Sequence, residues 1–83
     1  MIDFRLKVFC SVAHNLSFTK ASKELYVSQP AISKHIQELE TEYSTRLFER
    51  MGSHITLAPD GDLLLSHAEK NLRQYKQLDF EMT

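Results

Sequence analysis

Two serines constrain what this chain can fold into. Ser17 and Ser28 each precede a short stretch with apolar residues at helical spacing. A serine just outside a helix accepts a hydrogen bond from an orphan backbone N–H, so each one marks a helix start. Pro30 reinforces the second start, because a missing N–H costs nothing within the first helical turn. The pattern predicts a helix over about 18–25, a tight turn, and a second helix from Gln29 to about Tyr43. Ala21 and Leu25 should face inward, and the small residues at 21 and 22 admit a close neighbour. Tyr26-Val27 is expected to anchor the glycine-free turn by packing.

The second helix is two-sided. Ile32, Ile36, Leu39 and Tyr43 repeat at helical spacing and form the expected buried stripe. At about 100° per residue, Pro30, Lys34, Gln37 and Thr41 lie on the opposite side, Ser33 flanks them, and Gln29 sits at the tip. A small, polar, cationic face of this kind suits entry into the major groove of DNA. Packing alone fits a protein-binding helix pair equally well.

The flanking segments complete the architecture. Phe4, Val8, Phe9, Val12, Ala13 and Leu16 form a helical stripe over about 3–15, with Asp3 as its cap and Asn15 as its stop. Leu47-Phe48-Glu49-Arg50 and Ile55-Thr56-Leu57 are short strand candidates around a glycine-containing turn, Met51-Gly52-Ser53-His54. A hairpin directly after a helix-turn-helix makes a wing. Pro59 and Gly61 mark the start of a long final helix, roughly 59 to 80. Its residues Leu65, Ala68, Leu72, Tyr75 and Met82 are spaced close to heptads, and Leu64 and Leu78 widen the stripe. The expected fold is mainly α: three helices with a two-stranded wing over 1–58, then a linker and dimerisation helix over 59–83.

Bulk properties set bounds on function. Eighty-three residues make one small domain, at a size where oligomerisation often supplements a modest core. No apolar run approaches the roughly 20 residues that span a bilayer, and the N-terminus has no secretory pattern. The single Cys10 has no partner for an internal disulfide, which points to a reducing cytoplasm, and it is expected to sit buried in the first helix. The net charge of −1 hides a gradient. Residues 1–58 hold seven Lys/Arg against six Asp/Glu, and residues 59–83 hold three against five. Phosphate attraction acts over a Debye length of about 8–10 Å, so the local balance matters more than the total.

The segment from Ser17 through Gln29-Pro30 and Ser33 to Leu39-Glu40 closely resembles the helix-turn-helix of LysR-type transcriptional regulators. The resemblance continues through Leu47-Phe48-Glu49-Arg50 and Leu57-Ala58-Pro59-Asp60-Gly61, and so covers nearly the whole chain. It implies a recognition helix in the major groove, with Ser28, Gln29, Pro30, Ser33 and Lys34 at the DNA. Gln pairs bidentately with adenine, Lys favours guanine acceptors or phosphate, and Pro or Ala touches a thymine methyl; Ser33 and Lys34 also suit phosphate. Thr19 and Lys20, near a helix N-terminus, and Arg50, Ser53 and His54, at the wing, are the further candidates for the duplex. Lys23 is read as merely solvated.

The resemblance also implies a homodimer through the final helix, with Leu64, Leu65, Ala68, Leu72, Tyr75, Leu78 and Met82 in the seam and two recognition helices facing a pseudo-palindromic operator. Family members carry a larger ligand-binding domain after this helix. The chain is therefore expected to be a DNA-binding fragment, and any small-molecule inducer belongs to the part beyond Thr83. Three positions depart from the family pattern. Ser53-His54 stands where arginines usually tip the wing, Ser44 replaces a glycine after the recognition helix, and Ala58 replaces a threonine before the last one. Ser44 should turn the helix end less sharply, and Ala58 is a poor cap, partly offset by Asp60.

Catalysis finds little support. His14, His35, His54 and His67 are scattered without zinc-ligand spacing, and no glycine-flanked nucleophile or phosphate-cradling loop occurs. A double-stranded DNA partner is expected, with no enzyme activity, cofactor, metal or membrane. The rival from another class is a winged-helix protein-interaction module, for which near-zero charge is ordinary.

Overall fold

The computed structural model describes residues 3–82, and side chains as far as Lys70. Its elements are α1 (Phe4–Asn15), α2 (Phe18–Leu25), α3 (Gln29–Glu42), β1 (Phe48–Met51), β2 (His54–Leu57) and α4 (Pro59–Met82). The first three helices start on the caps read from the sequence. Asp3 Oδ1 accepts from the Arg5 N–H at 2.8 Å, Ser17 Oγ from Lys20 at 3.1 Å, and Ser28 Oγ from Ala31 at 3.2 Å. Phe9, Ile32, Leu39, Leu47, Val8 and Val12 are the largest fully buried side chains, so α1, α3 and the approach to β1 close one core. Ala21 is wholly buried where α2 packs, and the Phe48 ring lies 5.4 Å from Phe9 and 6.1 Å from Phe18.

The helix ends depart from the sequence reading. Each of the first three ends on a non-glycine residue in the left-handed region: Leu16 (φ 48°), Tyr26 (φ 58°) and Ser44 (φ 50°). Asn15 is thus the last helical residue of α1, and Leu16 makes the turn, half-exposed at the edge of the expected stripe. Tyr26 does not anchor its turn by packing. It is 94% exposed because the left-handed backbone swings it outward, and Val27 alone packs on the core. Tyr43, expected in the buried stripe of α3, is the half-exposed cap of that helix. Ser44 turns the chain as sharply as a glycine would. The Thr45 N–H reaches Glu40 O at 3.1 Å and the Ser44 N–H reaches Thr41 O at 3.2 Å, the paired bonds of a Schellman end.

The hairpin forms one residue later than predicted on its first strand, pairing Phe48 with Leu57, Glu49 with Thr56, Arg50 with Ile55 and Met51 with His54. Gly52 (φ 64°) opens its two-residue loop, as a type II′ turn requires. Gly61 answers a different need. A Cβ there would stand 2.1 Å from the Leu47 carbonyl oxygen, so only glycine lets α4 cross the start of the wing. Ala58 is buried, its N–H donating to Leu47 O at 3.0 Å, and the Asp60 carboxylate accepts from the Thr45 hydroxyl. Asp60 therefore also holds the α3–β1 connection.

The first turns of α4 also pack on the chain's own core. Ala68 is only 4% exposed, and Leu64 and Leu65 pack against the same cluster. Leu63, which the sequence reading left out of the seam, is 60% exposed. The side chains of Leu72, Tyr75, Leu78 and Met82 lie outside the described residues. Cys10 is buried as expected, and burial, then the nearby Glu69 charge, pushes its thiol up. Among the described residues no helix is long and apolar enough to cross a membrane.

Candidate nucleic-acid interface

Alternation along α3 builds the site. Ile32, Ile36 and Leu39 face the core, while Gln29, Pro30, Lys34, Gln37 and Thr41 are exposed and Ser33 is half-exposed. The Ser28 hydroxyl oxygen is engaged in the cap, which leaves its own O–H free to donate outward. The Thr19 hydroxyl donates to Gln29 Oε1 at 3.4 Å, so the first residue of α3 is tethered to the first turn of α2. That bond leaves Gln29 Nε2 and a second lone pair on Oε1 available, the pair of groups an adenine edge needs.

The wing meets this face through Arg50. Side chains alternate along a strand, so Arg50 shares a face with buried Phe48, opposite Ile55 and Leu57. Its guanidinium lies 5.2 Å from the centre of the Phe18 ring. Arg50 and Phe18 together divide two grooves. One is lined by Ser33, Gln37 and Arg46, the other by Thr19, Gln29, Ser53 and His54. The Glu40 carboxylate fixes the wing to α3, accepting from the Leu47 N–H at 2.8 Å and the Phe48 N–H at 3.5 Å.

Charge is arranged unevenly. Every contact at salt-bridge distance among the described residues involves Arg5, His14 or His35: the Arg5 guanidinium with Asp3 and Glu42, and the His14 and His35 ring nitrogens with Glu69 and Glu38. Lys20, Lys34, Arg46 and Arg50 have no carboxylate at salt-bridge distance among those residues. The Arg50 guanidinium instead lies over the Phe18 ring. A chain with net charge −1 thus keeps cations on α2, α3 and the wing that meet no carboxylate among the described residues.

The structure gathers Thr19, Gln29, Arg50, Ser53 and His54 around one groove and places Ser33 across Arg50 in the other. Lys34 lies farther round α3, beside Gln37, Glu38 and Thr41. Lys20 is exposed on α2 and lines neither groove. The sequence reading missed Arg46 and Phe18. Arg46 sits in the connection after α3, where no periodicity speaks for it. Phe18 resembles any helix-start aromatic until the hairpin register sets Arg50 beside it.

Residues 4–62 match the bacterial regulatory helix-turn-helix proteins of the lysR family. The chain is 40% identical over 77 residues to the HTH-type transcriptional regulator CysL of Bacillus subtilis, covering 93% of this chain and 26% of that protein. It therefore spans about a quarter of the length of that curated relative. Its fold superimposes on the DNA-binding domain of BenM, solved in a complex with catB site 1 DNA, with a TM-score of 0.90 and 33% identity, covering 99% of this chain and 91% of that one. The CbnR DNA-binding domain, also solved with DNA, gives 0.86 at 32% identity, covering 99% and 94%. A capped helix pair, a two-stranded wing and a long helix crossing at Gly61, matched over this length, make the chain a member of the LysR family of bacterial helix-turn-helix regulators.

Proposed function

We propose that this chain is the DNA-binding part of a transcription regulator that places α3 in the major groove of a pseudo-palindromic operator. The carrying observation is the two-sidedness of α3, with Ile32, Ile36 and Leu39 buried and Gln29, Pro30 and Lys34 exposed beside cations that meet no carboxylate among the described residues. In this reading Gln29 and Pro30 meet base edges, Ser33 and Lys34 meet bases or phosphate, and Ser28, Thr19, Lys20 and Arg50 hold the backbone. Ser53 and His54 lie at the wing tip, Met51-Gly52-Ser53-His54, which holds no lysine or arginine. Minor-groove reading by the wing is accordingly weak. The DNA complexes of the BenM and CbnR domains support DNA binding.

The same reading makes residues 1–58 the DNA-contacting unit and 59–83 a linker that pairs two copies in the cytoplasm. Its support is an unpartnered apolar surface, where half-exposed Tyr43 and 60%-exposed Leu63 flank a depression shared with Leu64 and His67. Relatives such as CysL are longer than this chain, and in this reading an effector domain and any inducer belong to that additional length.

The deciding experiment is an anisotropy titration over a salt series, using a duplex selected by this chain from a random library. Affinity should fall steeply with salt, in proportion to the phosphates neutralised. No binding even at about 50 mM salt would favour a protein-interaction module instead. Leu63→Glu should yield monomers by ultracentrifugation; an undiminished dimer would move the seam elsewhere.

A further inference from the structure

We infer that Phe18 is a positioning residue for DNA binding, the platform that holds the Arg50 guanidinium ready for phosphate before the duplex arrives. The inference rests on the function proposed above and extends it to a residue that has no polar group of its own. Arg50 lies on the same face of β1 as buried Phe48, two residues on, and its side chain is exposed. Its stem runs along the face shared with Ile55, and its head meets the Phe18 ring at 5.2 Å. Phe18 in turn is fixed by Phe48, edge to ring at 6.1 Å. With no carboxylate paired to it among the described residues, the guanidinium keeps its donors for another acceptor.

A planar cation stacked on a ring loses little freedom when it then binds phosphate. A free arginine would have to be ordered at the moment of binding, which weakens association. The position matters as well, because Arg50 stands on the ridge between the groove of Ser33, Gln37 and Arg46 and the groove of Gln29, Ser53 and His54. A phosphate held there would register the recognition helix and the wing on the duplex together.

A double-mutant cycle on DNA affinity tests this, with the library-selected duplex as probe and circular dichroism confirming that each variant is folded. Phe18→Leu keeps an apolar plug and removes the ring. It should weaken binding about two- to fivefold when Arg50 is present and less than about 1.5-fold in an Arg50→Ala background, while Phe18→Tyr should bind like the wild type. Arg50→Ala alone should lower the salt slope by about one. Equal losses from Phe18→Leu in both backgrounds would make Phe18 a packing residue only and overturn the inference. Should Phe18→Leu fail to fold, proton spectra of the unmodified chain decide: Arg50 side-chain protons shifted upfield by the ring support the stack, and unshifted ones overturn it. Failure of the unmodified chain to bind any duplex would remove the functional reading itself, whatever the ring shifts show.

Discussion

On the α1–α2 side, polar groups close on one another; on the α3–wing face, they stay open. The buried Ser11 hydroxyl donates to Glu24 Oε2 at 2.6 Å, and the Asn15 amide donates to the same oxygen at 2.7 Å and to Ser11 O at 2.8 Å. Nothing comparable engages Lys34, Arg46 or Arg50 among the described residues. The first arrangement is how a small protein satisfies groups it must bury. The second withholds that satisfaction where burial does not demand it, and so marks the surface with another partner. Substitutions on the closed side should therefore move stability, and substitutions on the open face should move binding.

The largest effect is expected at Gly61. An added methyl would meet the Leu47 carbonyl oxygen at 2.1 Å and Leu57 Cδ2 at 2.9 Å, and the carbonyl belongs to backbone that also accepts from Ala58. Gly61→Ala should destabilise the fold by about 1–3 kcal/mol, as overpacking does, despite alanine's better helix propensity. Urea denaturation measures this, and an unchanged midpoint would mean that α4 does not cross the wing so closely. Next comes the open face. Gln29→Ala should lose about 1–3 kcal/mol of discrimination at one operator position, if its amide pairs with a base, while stability moves by less than about 0.5 kcal/mol. Equal binding to all operator variants by mutant and wild type would reject base reading by Gln29.

Much of this division was legible in the sequence, and its failures share a cause. The serine caps, the α3 stripe and the wing follow from local chemistry, and local chemistry is what a sequence displays. Left-handed helix ends were invisible because Leu16, Tyr26 and Ser44 stand where glycine or asparagine would have announced them. Tyr26 was consequently read as packed, and Tyr43 as a further turn of stripe. Spacing alone also leaves the partner of the α4 stripe unassigned. Spacing of 3 and 4 residues shows that Leu64, Leu65 and Ala68 share a face, but not whether that face meets another chain or its own core. The contact of Phe18 with Arg50 escaped because the two residues lie far apart along the chain and only register joins them.

The left-handed ends sharpen the comparison in the stabilising direction. Ser44 adopts φ 50° at an exposed position, and a side chain there costs roughly 1–2 kcal/mol relative to glycine. Part of that is returned by the greater freedom of glycine in the unfolded chain. Ser44→Gly should therefore raise stability by about 0.5–1 kcal/mol with DNA affinity unchanged, by thermal melting and the same titration. A loss of stability would show that the Ser44 side chain contributes more than its strain.

The smallest expected effect lies in the pH dependence of the Glu24 clasp. Hydrogen bonds from Ser11 first, then from Asn15, hold its carboxyl below the usual glutamate range, with His14 adding a little. A carboxylate with a lowered folded-state pKa stabilises the fold above its unfolded value, and that contribution disappears as pH falls through the folded one. Removing the charge with Glu24→Gln should therefore reduce stability at pH near 7, and the gap between variant and wild type should narrow on acidification below about pH 4. Asp3 shifts in the same direction through its bonds from Arg5, so wild-type melting alone mixes the two carboxylates. Only the difference between Glu24→Gln and wild type isolates the clasp. A gap that stays constant from neutral to acid pH would show that the Glu24 charge is stabilised no better in the folded chain than in water.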